Sequence, residues 1–273
     1  MNKFSNLLLR ALTALVGATV IIFCTLYDPW AFFVLITAIG IFTIREYNRL
    51  VALPSNLSGW VYLVGILTYV LFFLIASGQV SFKYSVVLIP ALSIGLIIQI
   101  YREDERPLRT IALTYLGFGY VILPYGMLSF IAYLNGSYHP YLIVALFCMV
   151  WCLDTGAYFA GLAFGKHKLF ERISPKKTWE GAIGGIVLTL ICSWVFSLYV
   201  SELSTWNWIV VGIVIGVSGI FGDLVESFIK RVAMTKDSGT SIPGHGGFMD
   251  RFDSLIFAIP FYLLLLQILS GNF

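Results

Sequence analysis

Between Gly219 and Ser254 the chain reads GIFGDLVESFIKRVAMTKDSGTSIPGHGGFMDRFDS, and this stretch concentrates the side chains able to do chemistry. It holds the carboxylates Asp223, Glu226, Asp237, Asp250 and Asp253, the cations Lys230, Arg231, Lys236 and Arg251, and the turn Pro243-Gly244-His245-Gly246-Gly247. Asp223, Glu226 and Lys230 fall at i, i+3 and i+7, which lines two acids and a cation along one face of a helix. Carboxylate oxygens are hard ligands that suit Mg²⁺, an ion that also takes phosphate oxygens and keeps some of its waters. Asp250 and Asp253 stand at i and i+3 where a further helix is expected to begin. The glycines before them let backbone amides approach an anion, and the helix N-terminus adds a favourable dipole. Together these groups suit a metal-bound polyphosphate, with Asp223 and Asp250 as the first metal candidates and Glu226 and Asp253 as weaker ligands.

The same residues also admit plainer roles. Glu226 and Lys230 suit an intrahelical ion pair at a helix end, although that leaves Asp223 deep and unpaired. Asp253 suits a helix cap. His245 is open to three roles, as general base, phosphate hydrogen-bond donor or turn residue. The donor role is preferred, because a phosphate nucleophile is already ionised at neutral pH and phosphoryl transfer depends mainly on positioning and charge neutralisation.

Two earlier segments add polar groups. Asp154 follows the apolar run LIVALFCMVWCL, and a carboxylate inside a membrane span is a functional candidate unless it pairs with a helix end or a cation. Thr155, Gly156 and Ala157 beside it are small enough for close helix approach. The loop Ser174-Pro175-Lys176-Lys177-Thr178-Trp179-Glu180-Gly181 offers two lysines and a hydroxyl that suit phosphate binding. It also reads as a helix start, with Ser174 as cap and Pro175 at the first helical position.

The elements that must position these groups are helices in a membrane. Of 273 residues, 59% are hydrophobic and 11% charged, which marks an integral membrane protein. A bilayer core needs about 20 mostly apolar residues per helix, and the sequence offers windows near 8–27, 29–46, 59–77, 82–101, 108–134, 140–164, 181–201, 205–229 and 252–270. The expected fold is all-α and polytopic, with about nine transmembrane helices and a polar site at the cytoplasmic side of the C-terminal half. We read one membrane domain over 1–273, in which 1–135 supplies scaffold and lipid contact and 136–273 the catalytic helices. The N-terminus, with Lys3 and Arg10 before an apolar run, is read as a retained span, because no small-x-small cleavage site precedes a soluble domain.

Charge sets the expected orientation. Of the 17 Lys and Arg residues, all but Lys83 fall in loops on one side, which the positive-inside rule makes cytoplasmic. The N-terminus is then cytoplasmic and the C-terminus outside. A net charge of +3, with no basic run interleaved with exposed aromatics, argues against nucleic-acid binding. Juxtamembrane cations also hold anionic lipid headgroups. Cys24, Cys148, Cys152 and Cys192 all lie within expected spans, where packing is their expected role.

Ser227-x-x-Lys230-Arg231, Lys236-Asp237-x-Gly239, Pro243-Gly244-His245-Gly246-Gly247 and Asp250-Arg251-x-Asp253 resemble the signature of the phosphatidate cytidylyltransferases, the CDP-diacylglycerol synthases. Asp154-Thr155-Gly156-Ala157-Tyr158, the Pro175–Gly181 stretch and Gly222-Asp223-Leu224-x-Glu226-Ser227 resemble further elements of that family in the same order. The resemblance is strong over the C-terminal half and rests only on multiple spans in the N-terminal half. It implies an Mg²⁺-dependent attack of phosphatidate, arriving from the inner leaflet of the plasma (inner) membrane, on the α-phosphate of CTP. In that reading Lys230, Arg231, Lys236 and Arg251 neutralise the phosphates. Lys176 and Lys177 with Thr178 form a second clamp, and Asp154, Ser227, Gly246 and Gly247 line the substrate site. The resemblance further implies a homodimer and a monovalent cation beside the Mg²⁺. Two other readings are weighed: a CTP-using enzyme with an isoprenoid lipid acceptor, and an ion-coupled transporter. The transporter reading is disfavoured by the absence of an internal repeat and by charges gathered at one interface.

Overall fold

The computed structural model describes residues 3–235, 239 and 246–270, with side chains from residue 12 onward. Each apolar window forms a helix. In chain order these are α1 (Lys3–Tyr27), α2 (Pro29–Leu50), α3 (Ser55–Ala76), α4 (Leu88–Ile100), α5 (Pro107–Gly117), α6 (Leu123–Ala132), α7 (Pro140–Phe164), α8 (Trp179–Ser197), α9 (Thr205–Val232) and α10 (Met249–Leu269). A 3₁₀ turn, Phe82–Val87, leads into α4. A π-helical turn, Phe118–Ile122, joins α5 to α6 as one span. Pro124 follows that turn and lacks the N–H that a regular α-helix would use there, so the wider turn absorbs the missing bond. Among the described residues, eight helical segments are long and apolar enough to cross a membrane, and the apolar part of α1, Leu12–Tyr27, is shorter. The expected all-α polytopic membrane fold is what the structure has.

The chain packs as two compact units, Met1–Tyr138 with Asp237–Arg251, and His139–Lys236 with Phe252–Phe273. The first is built on α1 to α6. Its α2 starts where Asp28 caps the helix, accepting from the N–H groups of Trp30 at 2.7 Å and Ala31 at 3.3 Å, with Pro29 preset at the first position. Phe32, Tyr47, Phe73 and Tyr125 fill its interior, and the buried Tyr47 hydroxyl donates to the Leu113 carbonyl at 2.8 Å.

The second unit is built on α7, α8, α9 and most of α10. Without a solvent-driven hydrophobic effect between spans, close backbone approach carries the packing. Gly185 of α8 shows this, since a Cβ there would lie 2.7 Å from the Leu153 carbonyl of α7. Trp208, fully buried, donates from Nε1 to the Val200 carbonyl at 3.1 Å, and Tyr262 donates to the Leu142 carbonyl at 3.2 Å.

One departure concerns the loop before α8. Lys168–Phe170 and Ser174–Thr178 form an antiparallel hairpin, β1 and β2, with Lys168 opposite Thr178 and Phe170 opposite Ser174. The expectation that Ser174 caps a helix with Pro175 at its first position is therefore corrected. The cap is Thr178, whose Oγ1 accepts from Gly181 N–H at 3.2 Å. Ser-Pro also suits a strand that needs no N–H from its second residue, and Thr-x-x-Gly supplies the cap one strand later.

Candidate active site

Three elements of the second unit bring carboxylates together. Asp223 and Glu226 are three residues apart on α9, and Asp253 lies in the second turn of α10. Their approach depends on Gly222, where a Cβ would meet the Asp253 carbonyl oxygen at 2.7 Å. One oxygen from each of Asp223, Glu226 and Asp253 lies within 4.8 Å of the others. Asp154, from α7, is near enough for its charge to act on Asp253.

Two lysines counter these acids. Lys177 pairs with Asp223 from β2, and Lys230 pairs with Glu226 at 2.5 Å. The expected intrahelical pair Glu226–Lys230 is thus present, whereas Asp223 is half-buried and paired, not deep and alone. Ser227 Oγ donates to Asp223 Oδ1 at 3.4 Å. If all are ionised, Asp154, Asp223, Glu226 and Asp253 exceed Lys177 and Lys230 by two negative charges, the charge of one divalent cation. Hard oxygen donors gathered at this spacing fit Mg²⁺.

The strand separates the two lysines read as one clamp. Successive residues of a strand face opposite sides, so Lys177 turns to Asp223 while Lys176 stays exposed. Thr178 is buried and engaged as the cap of α8. Arg231 donates from Nε to the Ile173 carbonyl at 3.3 Å, tying the end of α9 to the hairpin. A residue given no role from sequence also holds this loop. Glu180 accepts the backbone N–H of Lys166 at 3.1 Å and of His167 at 3.2 Å, and its Oε1 lies 2.6 Å from His167 Nδ1. The signal for it was an acid in the first turn of a helix directly after a Lys-rich loop.

In the first unit, Gly246 adopts φ +87°, open to glycine without strain, and Asp250 Oδ2 accepts from Gly247 N–H at 3.2 Å. Asp250 is the second residue of α10, with the exposed Arg251 beside it. Asp253 is not the cap of that helix, since it lies a turn inside and accepts from its neighbour Ser254 N–H at 2.7 Å. Lys236 and His245 lie outside the described residues.

The chain is similar to several known proteins. Residues 8–269 match the model of the cytidylyltransferase family. A phosphatidate cytidylyltransferase of Bacillus subtilis (strain 168) is 34% identical, over 96% of this chain and 98% of its own length. Phosphatidate cytidylyltransferases of Haemophilus influenzae and Staphylococcus saprophyticus are each 41% identical over shorter stretches. In those two alignments the chain spans 47% and 58% of the relative's length.

Proposed function

The chain belongs to the cytidylyltransferase family, and on that premise we propose that it makes CDP-diacylglycerol and pyrophosphate from CTP and phosphatidate, a step of phospholipid biosynthesis. The observation that carries this reading is the carboxylate group Asp223, Glu226 and Asp253, gathered within 4.8 Å and countered by Lys177 and Lys230. A phosphatidate oxygen attacks the α-phosphorus of CTP, the bond from that phosphorus to the bridging oxygen breaks, and pyrophosphate leaves with the electron pair. The attacking phosphate is already ionised, so no side chain needs to take a proton.

Asp223, Glu226 and Asp253 would hold Mg²⁺, which would supply charge neutralisation for the triphosphate. Lys230 holds Glu226 in place, Lys177 holds Asp223, and the exposed Lys176 and Arg231 offer cationic surface to the anionic substrates. CTP comes from the cytosol and phosphatidate from the inner leaflet of the plasma membrane, a sidedness supported by the distribution of Lys and Arg.

The test is product formation by purified protein in mixed micelles given α-labelled CTP, phosphatidate and Mg²⁺, with EDTA and Asp223→Asn controls. CDP-diacylglycerol with equimolar pyrophosphate, lost in both controls, is the expected result. Folded protein that makes no product from phosphatidate but accepts an isoprenoid lipid would overturn the choice of acceptor. Turnover that survives EDTA would remove the metal from the reading.

A further inference from the structure

The strands β1 and β2 have little of their own to hold them in place. A two-stranded hairpin by itself is at best marginally stable in water, and this ladder is irregular between Lys168 and Phe170. Yet β2 carries Lys177, which pairs with Asp223 of the carboxylate cluster. A lysine that must meet one carboxylate from such a hairpin needs the hairpin fastened from outside the ladder. Away from the base, Arg231 Nε donates to the Ile173 carbonyl at 3.3 Å.

Glu180 fastens the base. It is the second residue of α8, where the partial positive charge of a helix N-terminus favours a carboxylate. From there its oxygens reach back across the hairpin. Oε2 accepts the N–H of Lys166 at 3.1 Å, and both oxygens accept the N–H of His167 at 3.2 Å. Oε1 also lies 2.6 Å from His167 Nδ1, but that ring is 79% exposed, so the two backbone N–H groups are the firmer link. Lys166 and His167 directly follow Gly165, which caps the end of α7. The carboxylate thus ties the end of α7 to the start of α8. Next to it the His167 carbonyl accepts Trp179 N–H at 2.9 Å, and the Lys168–Thr178 pair follows. Lys177 adjoins that pair, so where its ammonium lies follows from how the base is held. All of these residues belong to the second unit.

We propose that Glu180 is a positioning residue for cytidylyl transfer, its carboxylate fastening the base of the β1–β2 hairpin and so holding Lys177 against Asp223. The kinetic side of this inference rests on the function proposed above, and its structural side rests on the geometry alone.

The experiment uses the whole protein and its Glu180→Ala, Glu180→Gln, Lys177→Ala and Lys177→Ala/Glu180→Ala variants, with amide hydrogen exchange over residues 166–178 and steady-state kinetics as readouts. Glu180→Ala is expected to speed exchange in the hairpin while α9 keeps its wild-type rates, and to lower kcat/KM for CTP roughly tenfold. Because the loss runs through Lys177, the double variant is expected to match Lys177→Ala within about twofold. A merely structural role would instead multiply the two losses, and that result would overturn the proposal. Unchanged exchange or unchanged kcat/KM in Glu180→Ala would overturn it too. Glu180→Gln keeps an oxygen acceptor for the backbone N–H groups and is expected to lie nearer wild type than Glu180→Ala in both readouts; equal impairment would sink the role of that acceptor. If Glu180→Ala does not fold, Glu180→Asp, shorter by one methylene, takes its place: faster hairpin exchange with a kinetic loss absorbed by Lys177→Ala supports the role, and unchanged exchange or multiplied losses refute it. If wild-type protein makes no CDP-diacylglycerol, the proposed function fails while the exchange comparison still decides whether Glu180 fastens the hairpin.

Discussion

Lys177 and Lys230 each neutralise one carboxylate of the same cluster, yet burial predicts different consequences for removing them. The Lys230 side chain is 14% exposed and that of Glu226 0%, against 23% for Lys177 and 35% for Asp223. Lys230→Ala strips a counter-charge from a fully buried carboxylate and is expected to lower stability by about 3–5 kcal/mol. Lys177→Ala frees a carboxylate that water reaches, at a cost of about 1 kcal/mol or less. Its effect is expected in chemistry instead, as a roughly 10²-fold loss in kcat/KM for CTP, since the cation that holds Asp223 is removed. Thermal unfolding in detergent and steady-state kinetics on both variants check the contrast, and a Lys177→Ala protein that melts far below wild type would refute it. Asp223 and Glu226 were legible as a pair because spacing along one helix is local information, as was the Glu226–Lys230 pair. The partner of Asp223 was not, because Lys177 arrives on a strand far away in sequence.

Helix packing was legible as a set of spans but not as a set of contacts, since hydropathy marks which segments enter the membrane and says little about which faces meet. The glycines carry that missing information. Gly185→Ala would place a Cβ 2.7 Å from the backbone carbonyl of Leu153, which has little freedom to move. It is expected to destabilise by about 1–3 kcal/mol, as overpacking does. Gly59 of α3 faces open space, and a Cβ there would meet nothing within 4 Å. Gly59→Ala is expected to stabilise by roughly 0.5–1 kcal/mol through backbone entropy alone. Opposite shifts in melting temperature would bear this out, and equal shifts would mean that the α7–α8 contact is looser than its geometry. The hairpin was missed because its strands are short and Ser-Pro is a strong helix-start signal. What overrides that signal is the antiparallel pairing of Lys168–Phe170 with Ser174–Thr178.

At the scale of the whole chain, hydrogen bonds join span ends and loops that strict alternation puts on one side. Arg102 donates from its guanidinium to Asn56 at 2.7 Å, and Arg231 Nε donates to the Ile173 carbonyl. All four residues belong to the Lys- and Arg-rich side. Tyr138 donates to the Thr25 carbonyl at 2.7 Å and His139 Nδ1 lies 2.9 Å from Glu202 Oε1, and these belong to the other side. A missed or extra span between any such pair would put one partner across a bilayer of about 30 Å, beyond the reach of any side chain. Alternation leaves two mirror orientations, and the basic residues choose between them. Starting from a protein whose native cysteines are replaced by alanine, single cysteines at the exposed positions 137 and 171 read the choice. Ser137→Cys is expected to react with a membrane-impermeant thiol reagent in intact cells, and Glu171→Cys only after permeabilisation. The reverse pattern would place Asp223, Asp253 and Lys177 on the face away from cytosolic CTP, and the proposed reaction would then fail at the level of the whole molecule even if every residue of the cluster were correctly assigned.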